Sequence, residues 1–233
     1  MDEGLIGLLS DAHGNLEAYE AAFAILRSRG ADELYFLGDA VGYLPGDAVV
    51  EALARDGVHP IRGNHEEMLL EGGLSREQED VYRLLDTRDG MRPDLLAWIA
   101  AWPRTRELEV SSGRIVMVHG SLEDPIHGYV YPDTPLTDVD SGSPTTVFMG
   151  ATHRPFVRKV GETTYANVGS CGLPRDRGNL GAACLFDPSS GMVSILRFDI
   201  SGEIESALAR CGPVHQTVVA TFGRRGEFIG ELA

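Results

Sequence analysis

Positive charge, cysteine and aromatic side chains are scarce in this chain of 233 residues. It carries 20 lysines and arginines against 35 aspartates and glutamates, a formal net charge of −15. So acidic a chain repels polyanions over long range, which argues against nucleic-acid binding and against attachment to membranes through basic patches. Aromatic residues amount to 7%, but hydrophobic residues reach 43%, which is enough for a sizeable core.

Disulfides, thiolate metal sites and membrane spans are not expected either. The three cysteines are odd in number and widely spaced, which favours a reducing compartment. None has the CxxC spacing of a zinc site. The apolar run from Leu5 to Leu9 is too short for a signal peptide, and no run reaches the length of a membrane span. We therefore expect a cytoplasmic protein with no membrane partner.

Strand and helix patterns alternate along the first third of the chain. The predicted elements are a strand at Leu5–Ser10, a helix at Leu16–Ser28, a strand at Glu33–Leu37, a helix at Asp47–Arg55 and a strand at Val58–Ile61. Gly30 is a candidate C-terminal cap of the first helix, and Asp47 a candidate N-terminal cap of the second. This order predicts parallel strands joined by right-handed crossovers.

The rest of the chain is predicted to be helical at first and then mostly strand. Residues 64–101 are helix-rich, with Pro93 opening the last helix. Further strands are predicted at Thr105–Val110, Arg114–Val118, Thr145–Met149, Val157–Val160, Thr163–Val168, Ala182–Phe186 and Met192–Phe198. Residues 120–144 form a long proline-rich loop, a kind of segment that is often functional. The last thirty-odd residues are weakly patterned, with one helix at Glu203–Arg210.

These patterns together predict an α/β fold, a four-layer sandwich of two mixed β-sheets flanked by helices. We expect one domain over residues 1–233, with a weakly patterned C-terminal extension from about residue 200.

Polar residues that can ligate a metal ion follow the predicted strands. They are Asp11, His13, Asp39, Asn64, His65, His119 and His153. Ligands of open α/β sheets bind outside the carboxyl ends of the strands, so these side chains are expected to converge. Taken singly, each has an ordinary alternative: Asp11 and Asn64 as helix caps, Asp39 and His13 as turn residues, the other histidines as structural groups.

The joint pattern resembles the calcineurin-like metallophosphoesterase superfamily. Five motifs carry the resemblance in order: Asp11-Ala12-His13, Gly38-Asp39-Ala40-Val41-Gly42, Gly63-Asn64-His65-Glu66, Val118-His119-Gly120 and Gly150-Ala151-Thr152-His153-Arg154-Pro155. A further stretch, Asn167-Val168-Gly169-Ser170 with Leu173-Pro174-Arg175-Asp176, resembles the small bacterial YfcE-like phosphodiesterases.

The resemblance implies a role for each of these residues. Asp11, His13, Asp39 and His153 would hold one metal ion, and Asp39 would bridge to a second ion bound also by Asn64 and His119. Asn64, His65 and Arg154 would contact the substrate. His65 would also protonate the leaving oxygen.

One position departs from the family pattern. Ala151 stands where relatives carry a histidine ligand of the second metal, and a methyl group cannot ligate. The second site is therefore one ligand short. His127 and Asp133 in the long loop are candidates to replace it.

The expected chemistry is hydrolysis of a small phosphoester, a phosphodiester in the first place, by a metal-activated water. Oxygen and imidazole ligands without thiolate favour one or two divalent transition-metal ions, manganese ahead of iron or zinc. Bound metal would also supply the positive charge that the chain lacks.

Two other functions remain open. One is a non-catalytic or weakly active metal-binding scaffold on the same fold, which Ala151 favours. The other is a phosphomonoesterase or dinucleotide polyphosphate hydrolase. Protein phosphatases of the superfamily commonly carry an arginine soon after the GDxxG motif, whereas this chain has Tyr43-Leu44-Pro45 there.

Overall fold

The structure is a computed structural model that describes residues 3–139, 141–227 and 229–232. Its helices are α1 (Leu16–Ser28), α2 (Ala48–Arg55), α3 (Asn64–Glu71), α4 (Arg76–Tyr82), α5 (Leu84–Gly90), α6 (Pro93–Ala100), α7 (Ser201–Cys211) and α8 (Gln216–Phe222). Its strands are β1 (Leu5–Leu9), β2 (Ala31–Phe36), β3 (His59–Pro60), β4 (Thr105–Val110), β5 (Gly113–Val118), β6 (Thr145–Met149), β7 (Phe156–Val160), β8 (Thr163–Asn167), β9 (Leu180–Asp187), β10 (Met192–Asp199) and β11 (Glu231–Leu232).

The strands form two mixed sheets. The first has the order β11-β10-β9-β1-β2-β3, and the second has the order β4-β5-β6-β8-β7. In the first sheet β1, β2 and β3 are parallel as predicted, and β9 runs antiparallel to β1. In the second sheet β5, β6 and β8 are parallel, with antiparallel β4 and β7 at the edges. The predicted α/β fold class is confirmed.

The two sheets pack face to face because β1 is apolar on both sides. Leu8 joins a buried cluster with Met117 and Phe148 of the second sheet, whereas Leu9 joins the cluster of helices on the other face. Successive side chains of a strand point to opposite faces, so a continuous apolar run belongs in the middle layer. This packing fixes the direction in which the loop after β1 leaves the sheet.

The outer face of the second sheet is covered by a long loop. Its buried residues, among them Val116 and Tyr165, pack against Leu122, Val130 and Leu136. These residues belong to the loop of residues 120–144, in which the described positions form no helix or strand. The helices contribute their buried apolar residues to the other side, over the first sheet.

The chain departs most from its predicted elements near its end. One helix was expected at Glu203–Arg210, whereas the structure has α7, α8 and the short strand β11. The α8 sequence is rich in β-branched residues, which lowers helix propensity, but burial of Val218 and Phe222 against the core stabilises it. Elsewhere, Gly30 follows α1 with φ of 86°, as a C-terminal cap requires.

No helix within the described ranges is both long and apolar enough to cross a membrane.

Candidate metal centre

The seven predicted side chains lie together where β1, β2, β3, β5 and β6 end. Six of them are buried, and Asn64 is half-buried at the start of α3. Parallel strands end at the same edge of a sheet, and the two sheets bring their edges side by side. The expected convergence is therefore observed.

One group of ligand atoms is formed by Asp11, His13 and His153. The His153 Nε2 lies 3.1 Å from Asp11 Oδ1 and 3.1 Å from His13 Nε2. Asp39 Oδ2 lies 3.6 Å from His13 Nε2 on the other side. Two carboxylates and two imidazoles thus surround one position.

A second group is centred on Asp39. Its Oδ2 lies 3.5 Å from His119 Nε2, whose other near neighbour is Asn64 Oδ1 at 3.0 Å. Its Oδ1 accepts a hydrogen bond of 2.9 Å from the His65 backbone N–H. That hydrogen bond orients the carboxylate, so that Oδ2 faces both groups.

Backbone carbonyls fix the tautomer of three histidines. The Nδ1–H groups of His13, His119 and His153 donate to the carbonyl oxygens of Val41, Leu37 and Leu173, at 3.1, 2.7 and 2.6 Å. In the neutral form of each imidazole the proton is then on Nδ1, and Nε2 presents a lone pair to the cluster. This is the arrangement of a metal-ligating imidazole.

The electrostatics of the cluster call for a cation. Burial lowers the pKa of His13. At His119 burial is outweighed by Asp39 and the pKa rises to about 10, because the surrounding carboxylates favour positive charge there. Burial also opposes charge on Asp39, but the imidazoles, His119 foremost, hold the pKa of its carboxyl well below its usual range.

The donor set fits divalent metal ions. Asp11 Oδ1 is buried and, among the described residues, accepts no hydrogen bond. The Nε2 lone pairs of His13 and His153 face each other, which is unfavourable unless a cation lies between them. Asp11 and Asp39 also form a possible ligand group with His119. Asp11 is therefore near enough to supplement the second position, where Ala151 offers no ligand.

Backbone strain is concentrated at this site. Asp11, His13, Asp39, Ala151 and His153 all have φ between 50° and 62°, in the left-handed region that most side chains avoid. Such conformations cost on the order of 1–3 kcal/mol each and persist where the surrounding structure imposes them. The loops therefore hold their side chains in place at the expense of local stability.

Glu66 is a site residue that the sequence did not single out. Its carboxylate accepts hydrogen bonds of 2.8 Å from the N–H groups of Asp39, Ala40 and Gly63, and a longer one from Val41. Burial raises its pKa to about 7, helped by Asp39 and opposed by these donors. Its place in the first turn of α3 was a weak signal for a role in helix capping, but not for binding another loop.

Two other buried residues connect the site loops. Ser170 Oγ donates to the carbonyl oxygen of Asp11 at 2.7 Å, and Asn167 Nδ2 donates to that of Gly150 at 2.6 Å. Both lie in the stretch that resembled the YfcE-like proteins. They join the loop after β8 to the loops after β1 and β6.

The structure also shows the positions of other residues for which the sequence suggested a role. Asn64 is not the cap of α3, because Gly63 takes that position. Asp47 precedes α2 but its side chain makes no capping hydrogen bond. His127 and Asp133 are exposed and belong to none of the ligand groups among the described residues. Arg154 is exposed too, with its guanidinium carbon 5.8 Å from the centre of the Tyr131 ring.

Comparison with known proteins places this site in a family. The profile of the calcineurin-like phosphoesterase superfamily domain matches residues 5–191. The chain belongs to this superfamily and is a metallophosphoesterase.

Individual proteins resemble the chain in sequence or in fold. The uncharacterized protein MJ0912 of Methanocaldococcus jannaschii is 27% identical over 222 residues, with 85% of this chain and 89% of its own length covered. A metallophosphoesterase from Sphaerobacter thermophilus superposes with a TM-score of 0.73 at 22% identity, covering 94% of this chain and 98% of its own. The phosphoesterase YfcE from E. coli superposes with a TM-score of 0.51 at 19% identity, covering 85% and 94%.

Proposed function

We propose that this protein hydrolyses small phosphoesters, phosphodiesters in the first place, with divalent metal ions held by the cluster. The observation that carries the proposal is the position of Asp39 Oδ2. It lies 3.6 Å from His13 Nε2, 3.5 Å from His119 Nε2 and 4.0 Å from His65 Nε2. One anionic oxygen thus faces both ligand groups and the proposed proton donor.

The proposed ligands divide into two sets that share Asp39. Asp11, His13, Asp39 and His153 hold the first ion, and Asp39, Asn64 and His119 form a second set that binds an ion more weakly because it is one ligand short. Carboxylate, amide and imidazole donors suit manganese, iron or zinc, and we favour manganese. When bound, such ions supply Lewis acidity that activates water and attracts the phosphoryl oxygens.

His65 differs from the other three histidines in a way that suits proton donation. Its Nδ1 is buried without a hydrogen-bond partner among the described residues, so no carbonyl fixes its tautomer. Its Nε2 faces Asp39. Burial lowers the pKa of His65 to about 4, so the free protein holds a neutral imidazole at pH 7. An arriving phosphoester anion raises the pKa of His65, so that the imidazole takes up a proton from solvent and the resulting imidazolium can pass it to the leaving oxygen.

The wild-type protein with Mn²⁺ is expected to hydrolyse bis-p-nitrophenyl phosphate. Removing metal with a chelator should abolish release of p-nitrophenolate, and restoring Mn²⁺ should recover it. The measurements are a colorimetric rate and the metal content by elemental analysis. Protein that holds metal but cleaves no diester or monoester would contradict the proposal and favour the scaffold alternative.

Replacing Ala151 with histidine tests the second ligand set. Ala151 is buried at 4% exposure with φ of 61°, a conformation that histidine tolerates better than most residues. We expect Ala151→His to raise the metal content from about one to about two ions per chain. The matched control is Ala101→His, which adds the same group at an exposed position beyond α6. Equal metal content in wild type and Ala151→His would contradict an incomplete second site.

A further inference from the structure

A cavity of about 370 Å³ opens beside the metal centre. Tyr43 and Tyr82 belong to its wall and also contact the cluster. The Tyr43 ring centre lies 4.7 Å from that of His13 and 4.9 Å from that of His65, and Tyr82 lies 5.1 Å from His65. The cavity is therefore within reach of a molecule bound at the metal centre. The volume suits a small ligand.

Three guanidinium groups line the cavity, those of Arg154, Arg175 and Arg224. Among the described residues, no carboxylate lies within 4.0 Å of any of them. The neighbouring Asp176 is already paired with Arg197, Nη1 to Oδ2 at 2.6 Å. In a chain of net charge −15, three arginines without an acidic partner around one cavity are a marked local exception.

Tyrosines position two of these arginines. Arg175 Nη2 donates to the Tyr43 hydroxyl at 2.8 Å, and its guanidinium carbon lies 5.9 Å from the centre of the Tyr43 ring. Arg154 lies over Tyr131 at 5.8 Å. These contacts use one edge or face of each guanidinium. Other N–H donors remain for an anion, and guanidinium groups bind phosphate in a bidentate manner.

The far wall comes from the C-terminal extension. Thr217, Val218 and Thr221 of α8 line the cavity together with Arg224. All four lie beyond residue 191, where the match to the superfamily profile ends. This wall therefore lies outside the segment that the superfamily profile matches, where a determinant of specificity is expected.

We propose that this cavity binds a second phosphate group of the substrate, held by Arg154, Arg175 and Arg224 while the scissile ester lies at the metal centre. The substrate class is then a phosphodiester in which one esterified group carries a second phosphate. The tyrosine rings pack against that esterified group. This inference rests on the proposed function, because it assigns the substrate of the same site.

A matched pair of substrates tests the second phosphate. Thymidine 5′-(p-nitrophenyl phosphate) and its 3′-phosphorylated derivative release the same leaving group and differ only in the added phosphate. With the full-length Mn²⁺ protein we expect kcat/KM to be about tenfold or more higher for the 3′-phosphorylated ester, mainly through a lower KM. Equal values for the two esters would overturn the inference while leaving the proposed function intact.

The Arg224→Gln variant tests whether the preference for the 3′-phosphorylated ester arises in the cavity. Arg224 is exposed, so the variant is expected to fold, and the preference for the 3′-phosphorylated ester should fall about tenfold. The control is Arg225→Gln, which removes the same charge one residue further on. Arg225 donates to the backbone oxygens of Phe222 and Arg224 and does not line this cavity. A preference unchanged in Arg224→Gln, or lost equally in Arg225→Gln, would contradict the inference.

A binding measurement separates this inference from the proposed function. Calorimetry with thymidine 3′,5′-bisphosphate and thymidine 5′-monophosphate needs no turnover. Tighter binding of the bisphosphate, reduced in Arg224→Gln, would support the anion site even if neither ester were hydrolysed. Equal affinity for the two nucleotides would overturn it whatever the rates.

Discussion

Asp39→Asn is expected to abolish hydrolysis of bis-p-nitrophenyl phosphate, a loss of about a thousandfold or more in kcat/KM. Asparagine can still accept the hydrogen bond from the His65 N–H through its oxygen. Its amide group would then replace the anionic Oδ2 that faces His13 and His119. The side chain keeps its shape while the charge shared by both ligand groups is lost. The measurement is the steady-state rate with Mn²⁺ in excess.

The control for this change is Asp94→Asn, at an exposed position of α6. It removes the same charge from the surface, and its rate should equal that of the wild type. Metal content should fall in Asp39→Asn and stay constant in Asp94→Asn. Equal rates in Asp39→Asn and wild type would refute a catalytic role for the cluster.

Glu66→Ala is expected to destabilise the protein strongly. The substitution removes the acceptor of the Asp39, Ala40 and Gly63 N–H groups and leaves these buried donors unpaired. Each of these three unpaired donors costs about 1–3 kcal/mol, so the free energy of unfolding should fall by at least about 3 kcal/mol. For a chain of this length, that lowers Tm by roughly 10 °C. Thermal unfolding followed by circular dichroism measures the change.

The matched control is Glu71→Ala at the exposed end of the same helix, which should shift Tm by only a degree or two. Glu66→Gln retains one acceptor oxygen and should fall between Glu66→Ala and the wild type. A Tm for Glu66→Ala equal to that of Glu71→Ala would mean that the Glu66 hydrogen bonds contribute nothing to stability.

Much of the fold follows from patterns that are local in the sequence. The α1 bounds were predicted at Leu16–Ser28 and are observed there, since its apolar face and Gly30 agree. The third strand was predicted at Val58–Ile61 and comprises only His59–Pro60, where Pro60 is tolerated because β3 lies at the edge of the sheet. The helix α8 escaped prediction because its stability comes from tertiary burial rather than from its own residues.

The site was predictable as a set of residues but not as an arrangement. Asp11, His13 and Asp39 could be found because polar side chains directly follow apolar strands. No sequence pattern signals that these residues adopt positive φ, a conformation typical of glycine. The contacts of Glu66 with the loop after β2 were equally hidden, since they join residues 25 to 27 positions apart. The arginine-lined cavity depends on α8, which was not predicted.

The backbone carbonyl groups of Leu37, Val41 and Leu173 make the orientation of the metal-ligating imidazoles depend on the main chain rather than on side chains. The oxygen that sets the protonation of each imidazole belongs to the main chain, so any residue that keeps the backbone path supplies it. Leucine or valine at these positions is needed for packing, not for the imidazole. Substitutions at these positions that preserve the packing are therefore expected to leave the proton positions of the three imidazoles unchanged.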